Sequence, residues 1–79
     1  MSRSVSEIEQ WLRAHVARVA GIYADEVDPE TPFADLGLDS VTGLELVGAL
    51  GEWLGDEELA PTVIIRHNSI KRLAAHVVK

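Results

Sequence analysis

Apolar residues return every three or four positions in two well-separated stretches of this chain, and that spacing commits it to packed helices. Val5, Ile8, Leu12, Val16 and Val19 form one stripe, and Ile70, Leu73, Ala74 and Val77 form another. Both follow the 3.6-residue period of an amphipathic helix. Ser4-Val5-Ser6-Glu7 fits a capping box ahead of the first stripe, and Gly21 suits a left-handed cap behind it. The first helix is therefore expected over residues 5–20. From Ile22 to Leu38 neither helical nor strand periodicity persists, and Asp28-Pro29 and Thr31-Pro32 break any helix that starts. A connection of this length is long for a compact domain and is expected to be functional or held down by its own side chains. Val27, Leu36 and Phe33, the chain's one phenylalanine, are the expected anchors.

A second helix is expected to start at Asp39 or Ser40, either of which can cap it, and to end at Gly55. At 100° per residue, Leu46, Val47, Leu50 and Leu54 share one side. Val41, Leu44 and Gly48 share the opposite side, flanked by Glu45 and Glu52. One apolar face suffices for a core. The second has the composition of a docking surface, a small apolar patch rimmed by acids. Burial on both sides is the alternative, but so short a chain has little left to cover it. Gly43, Gly48 and Gly51 each weaken the helix by about 1 kcal/mol relative to alanine, which implies either close packing or pliability. Pro61 fits the first turn of a short helix from Thr62 to about Arg66. Asn68 or Ser69 can cap the last helix, with Lys71, Arg72 and Lys79 off its apolar stripe. The expected fold is all-α: a single domain over residues 1–79, folded as a small antiparallel four-helix bundle. Three helices are longer and one is short, with a long loop between the first two.

Composition narrows the function. A chain of 79 residues buries only about 60% of the surface its unfolded form exposes, which leaves no catalytic cavity to spare and argues against an independent enzyme. Its 47% apolar content argues against disorder. No apolar run approaches the roughly 20 residues of a membrane span, and Met1-Ser2-Arg3-Ser4, which lacks an apolar stretch and a small-residue cleavage site, is not expected to be a secretory start. The absence of cysteine rules out disulfides and fits the cytoplasm. It also means that any thioester chemistry must import its sulfur. The net charge of −6 is segregated: residues 1–24 sum to +1, residues 25–58 hold eleven acids and no Lys or Arg, and residues 59–79 sum to +4. Such a centre disfavours nucleic acid and favours a basic protein surface. The chain is expected to act as a monomer, away from membranes.

Asp35-Leu36-Gly37-Leu38-Asp39-Ser40, followed by Val41 and an apolar helix, resembles the Gly-x-Asp-Ser-Leu attachment motif of acyl carrier proteins. Val27-Asp28-Pro29 and Pro32-Phe33-Ala34-Asp35-Leu36-Gly37 resemble the loop of that family. Glu45-Leu46 and Leu50 resemble its second helix. Pro61-Thr62, Ser69-Ile70 and Leu73-Ala74-Ala75-His76 resemble the tail of polyketide-synthase carrier domains. Val41 stands where the family commonly has leucine, and Asn68-Ser69-Ile70 where it commonly has Pro-Thr-Ile. The resemblance implies that a separate transferase modifies Ser40 with phosphopantetheine from coenzyme A. The thiol of that arm would then carry acyl groups as thioesters in polyketide or fatty-acid-like biosynthesis. It further implies that Asp39 supports the helix start and helps the phosphopantetheinyl transferase engage. Partners would be that transferase and acyl-loading and synthase enzymes with basic docking surfaces, meeting Val41, Leu44, Glu45, Gly48 and Glu52. No residue of the chain would be catalytic.

Physical chemistry supports the placement independently. A serine at a helix start is held at the surface, and a phosphate on it meets unpaired N–H groups and the positive end of the helix dipole. Two other functions compete. A peptidyl carrier would typically show Gly-Gly-x-Ser where this chain has Gly37-Leu38-Asp39-Ser40. An unmodified acidic helical adaptor would use Asp39-Ser40 as an ordinary cap. No metal site is expected. Asp35 and Asp39 fall at the first and fifth positions of a would-be calcium loop, but Gly37, Ser40 and Leu46 occupy its third, sixth and twelfth. His15, His67 and His76 lack ligand spacing. Trp11 and Trp53 are expected as partial core residues, and Arg66-His67 with Lys71-Arg72 as a solvated face.

Overall fold

The computed structural model describes residues 3–78 and contains four α-helices, with no named strand among those residues. The readings on Met1-Ser2 and Lys79 lie outside them. Helix α1 runs Val5–Ala20, α2 Ser40–Leu54, α3 Val63–Arg66 and α4 Ile70–Val77. The expected boundaries follow from caps that form as the sequence requires. The Ser4 hydroxyl accepts from the Glu7 amide while the Glu7 carboxylate accepts from the Ser4 amide, both at 3.1 Å. Gly21 and Gly55 close α1 and α2 in the left-handed conformation, at φ 73° and 72°. Ser69, of the two candidates, caps α4 by accepting from the Arg72 amide at 3.2 Å. Pro61 lies outside α3, two residues ahead of its start, and Thr62 is the cap.

The core gathers one face of each element. Ile8, Leu12 and Val16 of α1 meet Leu46, Val47 and Leu50 of α2 and Ile70, Leu73, Ala74 and Val77 of α4. Ala17 is buried, while Val5 and Val19 at the ends of the α1 stripe are exposed. The connection between α1 and α2 is packed down rather than loose. It contains two 3-10 turns, Ala24–Glu26 and Phe33–Leu36. Val27 and Phe33 enter the core, with Leu36 half-buried. The connection is also tied to its neighbours by hydrogen bonds. Arg13 donates to the Ala24 carbonyl at 3.1 Å, the Phe33 amide to the Asn68 carbonyl at 2.8 Å, and the Lys71 amide to the Pro29 carbonyl at 2.9 Å.

Two of the three helix-interior glycines are explained by packing. A Cβ on Gly51 would sit 2.9 Å from the Asp56 carbonyl oxygen, and one on Gly43 would sit 3.3 Å from Cδ1 of Ile64 in α3. A Cβ on Gly48 would meet nothing within 4 Å.

α1 and α2 run antiparallel and are clasped by a column of stacked groups. Arg3 lies 4.0 Å over the Trp53 ring, Trp53 stacks on Trp11 at 5.1 Å, and Trp11 stacks on His15 at 5.2 Å. Both tryptophans are half-buried, as expected, and the stacking adds to their area burial. Arg18 closes the column, its Nη2 donating to His15 Nδ1 at 3.1 Å. Because arginine only donates, that nitrogen must be unprotonated. Burial and the Arg18 charge, partly offset by Glu45, hold His15 below its usual 6.5. His67 is lowered by desolvation, by His76, stacked on it at 3.9 Å, and by Arg66. As the pH falls through the ordinary histidine value toward the lowered native ones, the unfolded chain thus binds more protons than the native one, so stability decreases as the pH decreases. The thermal midpoint should drop between about pH 7.5 and about pH 5.5, above the range where carboxylates titrate. A His15→Gln, His67→Gln double variant should show a shallower drop by calorimetry. An equal drop would mean that the histidines are not responsible.

Candidate functional site

The segment Gly37-Leu38-Asp39-Ser40 assigns one task to each residue. Gly37 ends the second 3-10 turn at φ 89°, a left-handed conformation that favours glycine. This reversal lets Leu38 turn inward, where it is buried in the core. Asp39 then caps α2, its Oδ1 accepting from the Thr42 amide at 2.9 Å and from the Thr42 hydroxyl at 2.9 Å. The hydrogen bonds from the Thr42 amide and hydroxyl hold the Asp39 carboxyl below its usual range. Ser40 is the first residue of the helix and is exposed. Its hydroxyl therefore stands on a rigid element, at the end where backbone N–H groups lack intrahelical partners. A phosphoryl group attached there would be met by those groups and by the helix dipole.

Leading away from Ser40 are the residues that the sequence assigned to recognition. Leu44 is 52% exposed and Val41 62% exposed, whereas Leu46 and Leu50 on the other side of the helix are at 0%. The helix thus has one buried face and one open face. Glu45, Gly48 and Glu52 are all exposed beside the open one. Burial on both sides is excluded for Val41 and Leu44.

One feature of the site could not be read from the sequence. Beside Ser40 a cleft of about 420 Å³ opens between α2 and α3, lined by Leu38, Gly43 and Leu44 on one side and Ile64, Ile65 and Pro61 on the other. Ile65 is 76% exposed and extends the apolar rim beyond α2. The absent Cβ of Gly43 allows Ile64 to approach, which sets the floor of this cleft. The signal for it was Ile64-Ile65 in a four-residue helix, too short for periodicity to say which way either points.

No helix among the described residues is long and apolar enough to cross a membrane. No group of three or more His, Cys, Asp and Glu side chains among them could hold a metal ion.

Known proteins resemble this chain over most of its length. Residues 10–77 match the profile of the family described as phosphopantetheine attachment site. The chain is 39% identical over 66 residues to the polyketide synthase ThaG of Burkholderia thailandensis, covering 84% of this chain and 1% of that one. It is 34% identical over 74 residues to the acyl carrier protein TtuC of Teredinibacter turnerae, covering 94% of this chain and 84% of that one. Among solved structures it resembles a free-standing peptidyl carrier protein from a secondary metabolic pathway of Acinetobacter baumannii. The TM-score is 0.85 at 27% identity, covering 94% of this chain and 91% of that one.

Proposed function

The chain belongs to the phosphopantetheine attachment-site family as a carrier protein of the polyketide-synthase type, and on that premise we propose that Ser40 is its attachment residue. The family bears phosphopantetheine covalently on a serine and carries rather than catalyses. The observation that carries the assignment is the exposed Ser40 hydroxyl at the start of α2, directly after the Asp39 cap and within the matched segment. In the transfer, the Ser40 oxygen forms a new phosphodiester, coenzyme A loses its nucleotide half, and the hydroxyl proton passes to the transferase. The arm's thiol, which this cysteine-free chain cannot supply, then holds acyl intermediates as thioesters. The phosphate end of the arm is stabilised by the N-terminus of α2. The cleft beside Ser40 offers its apolar part a resting place.

Carrier domains of this kind interact with synthase enzymes and with phosphopantetheinyl transferase. For this chain, our reading is that Val41, Leu44 and Gly48 form the apolar centre of the docking face, while Glu45 and Glu52 steer it toward basic partner surfaces. A single carrier domain over residues 1–79, monomeric, acting in the cytoplasm and binding neither nucleic acid nor membrane, completes the reading. The peptidyl-carrier alternative lacks support in the Gly37-Leu38-Asp39-Ser40 segment, where its second glycine would be expected.

Intact mass after incubation with coenzyme A, magnesium and a broad-specificity phosphopantetheinyl transferase tests the proposal. The protein should gain one phosphopantetheine. No gain would favour the unmodified adaptor. The same assay tests recognition: Glu45→Lys and Glu52→Lys should slow modification, and the wild-type rate should fall with added salt, because exposed charges act mainly through steering. Rates indifferent to both changes would remove Glu45 and Glu52 from the docking face.

A further inference from the structure

We infer that Thr42 is a positioning residue for the modification of Ser40, acting through its hydroxyl on the Asp39 carboxylate. This rests on the reading of Ser40 as the attachment site. The Thr42 amide bond to Asp39 Oδ1 is one that any residue at this position could supply, since it is part of the cap. The hydroxyl bond is particular to Thr or Ser. The hydroxyl has one proton and two acceptors in reach, Asp39 Oδ1 at 2.9 Å and the Asp39 carbonyl at 3.2 Å. The carboxylate is the nearer and carries the charge, so it takes the stronger bond.

Two donors on a single oxygen restrain both side-chain torsions of Asp39, which is exposed and would otherwise sample several rotamers. Among the described residues no Lys or Arg forms an ion pair with Asp39. Its negative charge is therefore held in a fixed place, one residue before the reacting hydroxyl, and remains available to a cationic group of the transferase. A partner that finds this carboxylate already oriented loses less freedom on binding and places Ser40 more accurately. The helix itself does not depend on the hydroxyl. The amide cap and the Gly43 amide bond to the Asp39 carbonyl, at 2.9 Å, remain without it. Valine, moreover, matches threonine in branching and in helix propensity.

The test is steady-state modification of the apo protein by a broad-specificity phosphopantetheinyl transferase with coenzyme A and magnesium. Thr42→Val should lower kcat/KM by about tenfold, the scale of one lost hydrogen bond to a charged group. Thr42→Ser should restore it, while circular dichroism and thermal midpoint stay close to wild type for both. Thr42→Ala should repeat the loss, which covers the case in which valine disturbs the helix start. Asp39→Asn should also be slow, and Thr42→Val added to it should slow it no further, because the hydroxyl acts through the carboxylate. Wild-type rates in Thr42→Val, or a Thr42→Val loss that persists undiminished beside Asp39→Asn, would overturn the inference. Normal modification of Asp39→Asn would overturn it too, leaving Ser40 as the attachment site. Failure of the wild type to be modified would overturn both.

Discussion

Leu50→Ala is expected to melt far below the wild type, while Leu44→Ala, on the other side of the same helix, melts almost with it. Leu50 is fully buried among α1, α2 and α4 residues, with a relative exposure of 0%. Truncating such a leucine removes its transfer free energy and leaves a cavity, together about 2–5 kcal/mol. A domain this small can have a total stability of only about 5 kcal/mol, so the variant is expected to be largely unfolded at the upper end of that range. Leu44 is 52% exposed on the rim of the cleft and has far less to lose. On the proposed docking reading its truncation should instead slow modification or acyl loading, because it removes apolar surface that a partner would cover. Thermal melts beside loading rates for the two variants separate folding from docking. Equal melting points would mean that the open face contributes to stability as much as the core does.

Much of this architecture is legible in the sequence because its signals are local. Ser4 with Glu7, Gly21, Gly55 and Ser69 are caps whose chemistry works within a few residues, and they place α1, α2 and the start of α4 to within a residue. The 3.6-residue stripes place the core. The same periodicity overreaches at Val5 and Val19, since the ends of a helix run past the elements that cover its middle, and it passes over Ala17, whose small side chain gives a weak signal. The 3-10 turns are invisible because three or four residues hold no periodicity. Pro61 misleads slightly: its fixed φ suits a helix start but also suits the turn that precedes one.

What the sequence withheld depends on contacts between elements. The need for glycine at position 51 comes from the Asp56 carbonyl, and at position 43 from Ile64. Both depend on how α2 meets the chain that follows it. The column from Arg3 through Trp53, Trp11 and His15 to Arg18 joins two helices, and only their relative depth brings those groups into register. The candidate site shows the same division. Ser40 and its Asp39 cap stand out in the sequence as a motif, and the two faces of α2 follow from helical geometry. The cleft beside Ser40 does not, because its far wall is Ile64 and Ile65 of a four-residue helix. Likewise the Thr42 hydroxyl takes on meaning only once its distance to Asp39 is known.

The central claim is that Ser40 alone bears the arm on which acyl groups travel, and peptide mass spectrometry can test it directly. The apo protein is incubated with acetyl-coenzyme A, magnesium and a broad-specificity phosphopantetheinyl transferase, then cleaved after lysine and arginine. The chain has no Lys or Arg between Arg18 and Arg66, so residues 19–66 form one peptide, in which Ser40 is the only serine. That peptide should carry a single acetyl-phosphopantetheine group, which fragmentation places on Ser40. Hydroxylamine should strip the acetyl group and leave the arm, because a thioester yields to it and a phosphodiester does not. Ser40→Ala, which leaves the Asp39 cap of α2 in place and should stay helical by circular dichroism, should gain nothing. An unmodified wild type, a group mapped to another residue, or a modified Ser40→Ala would contradict the account.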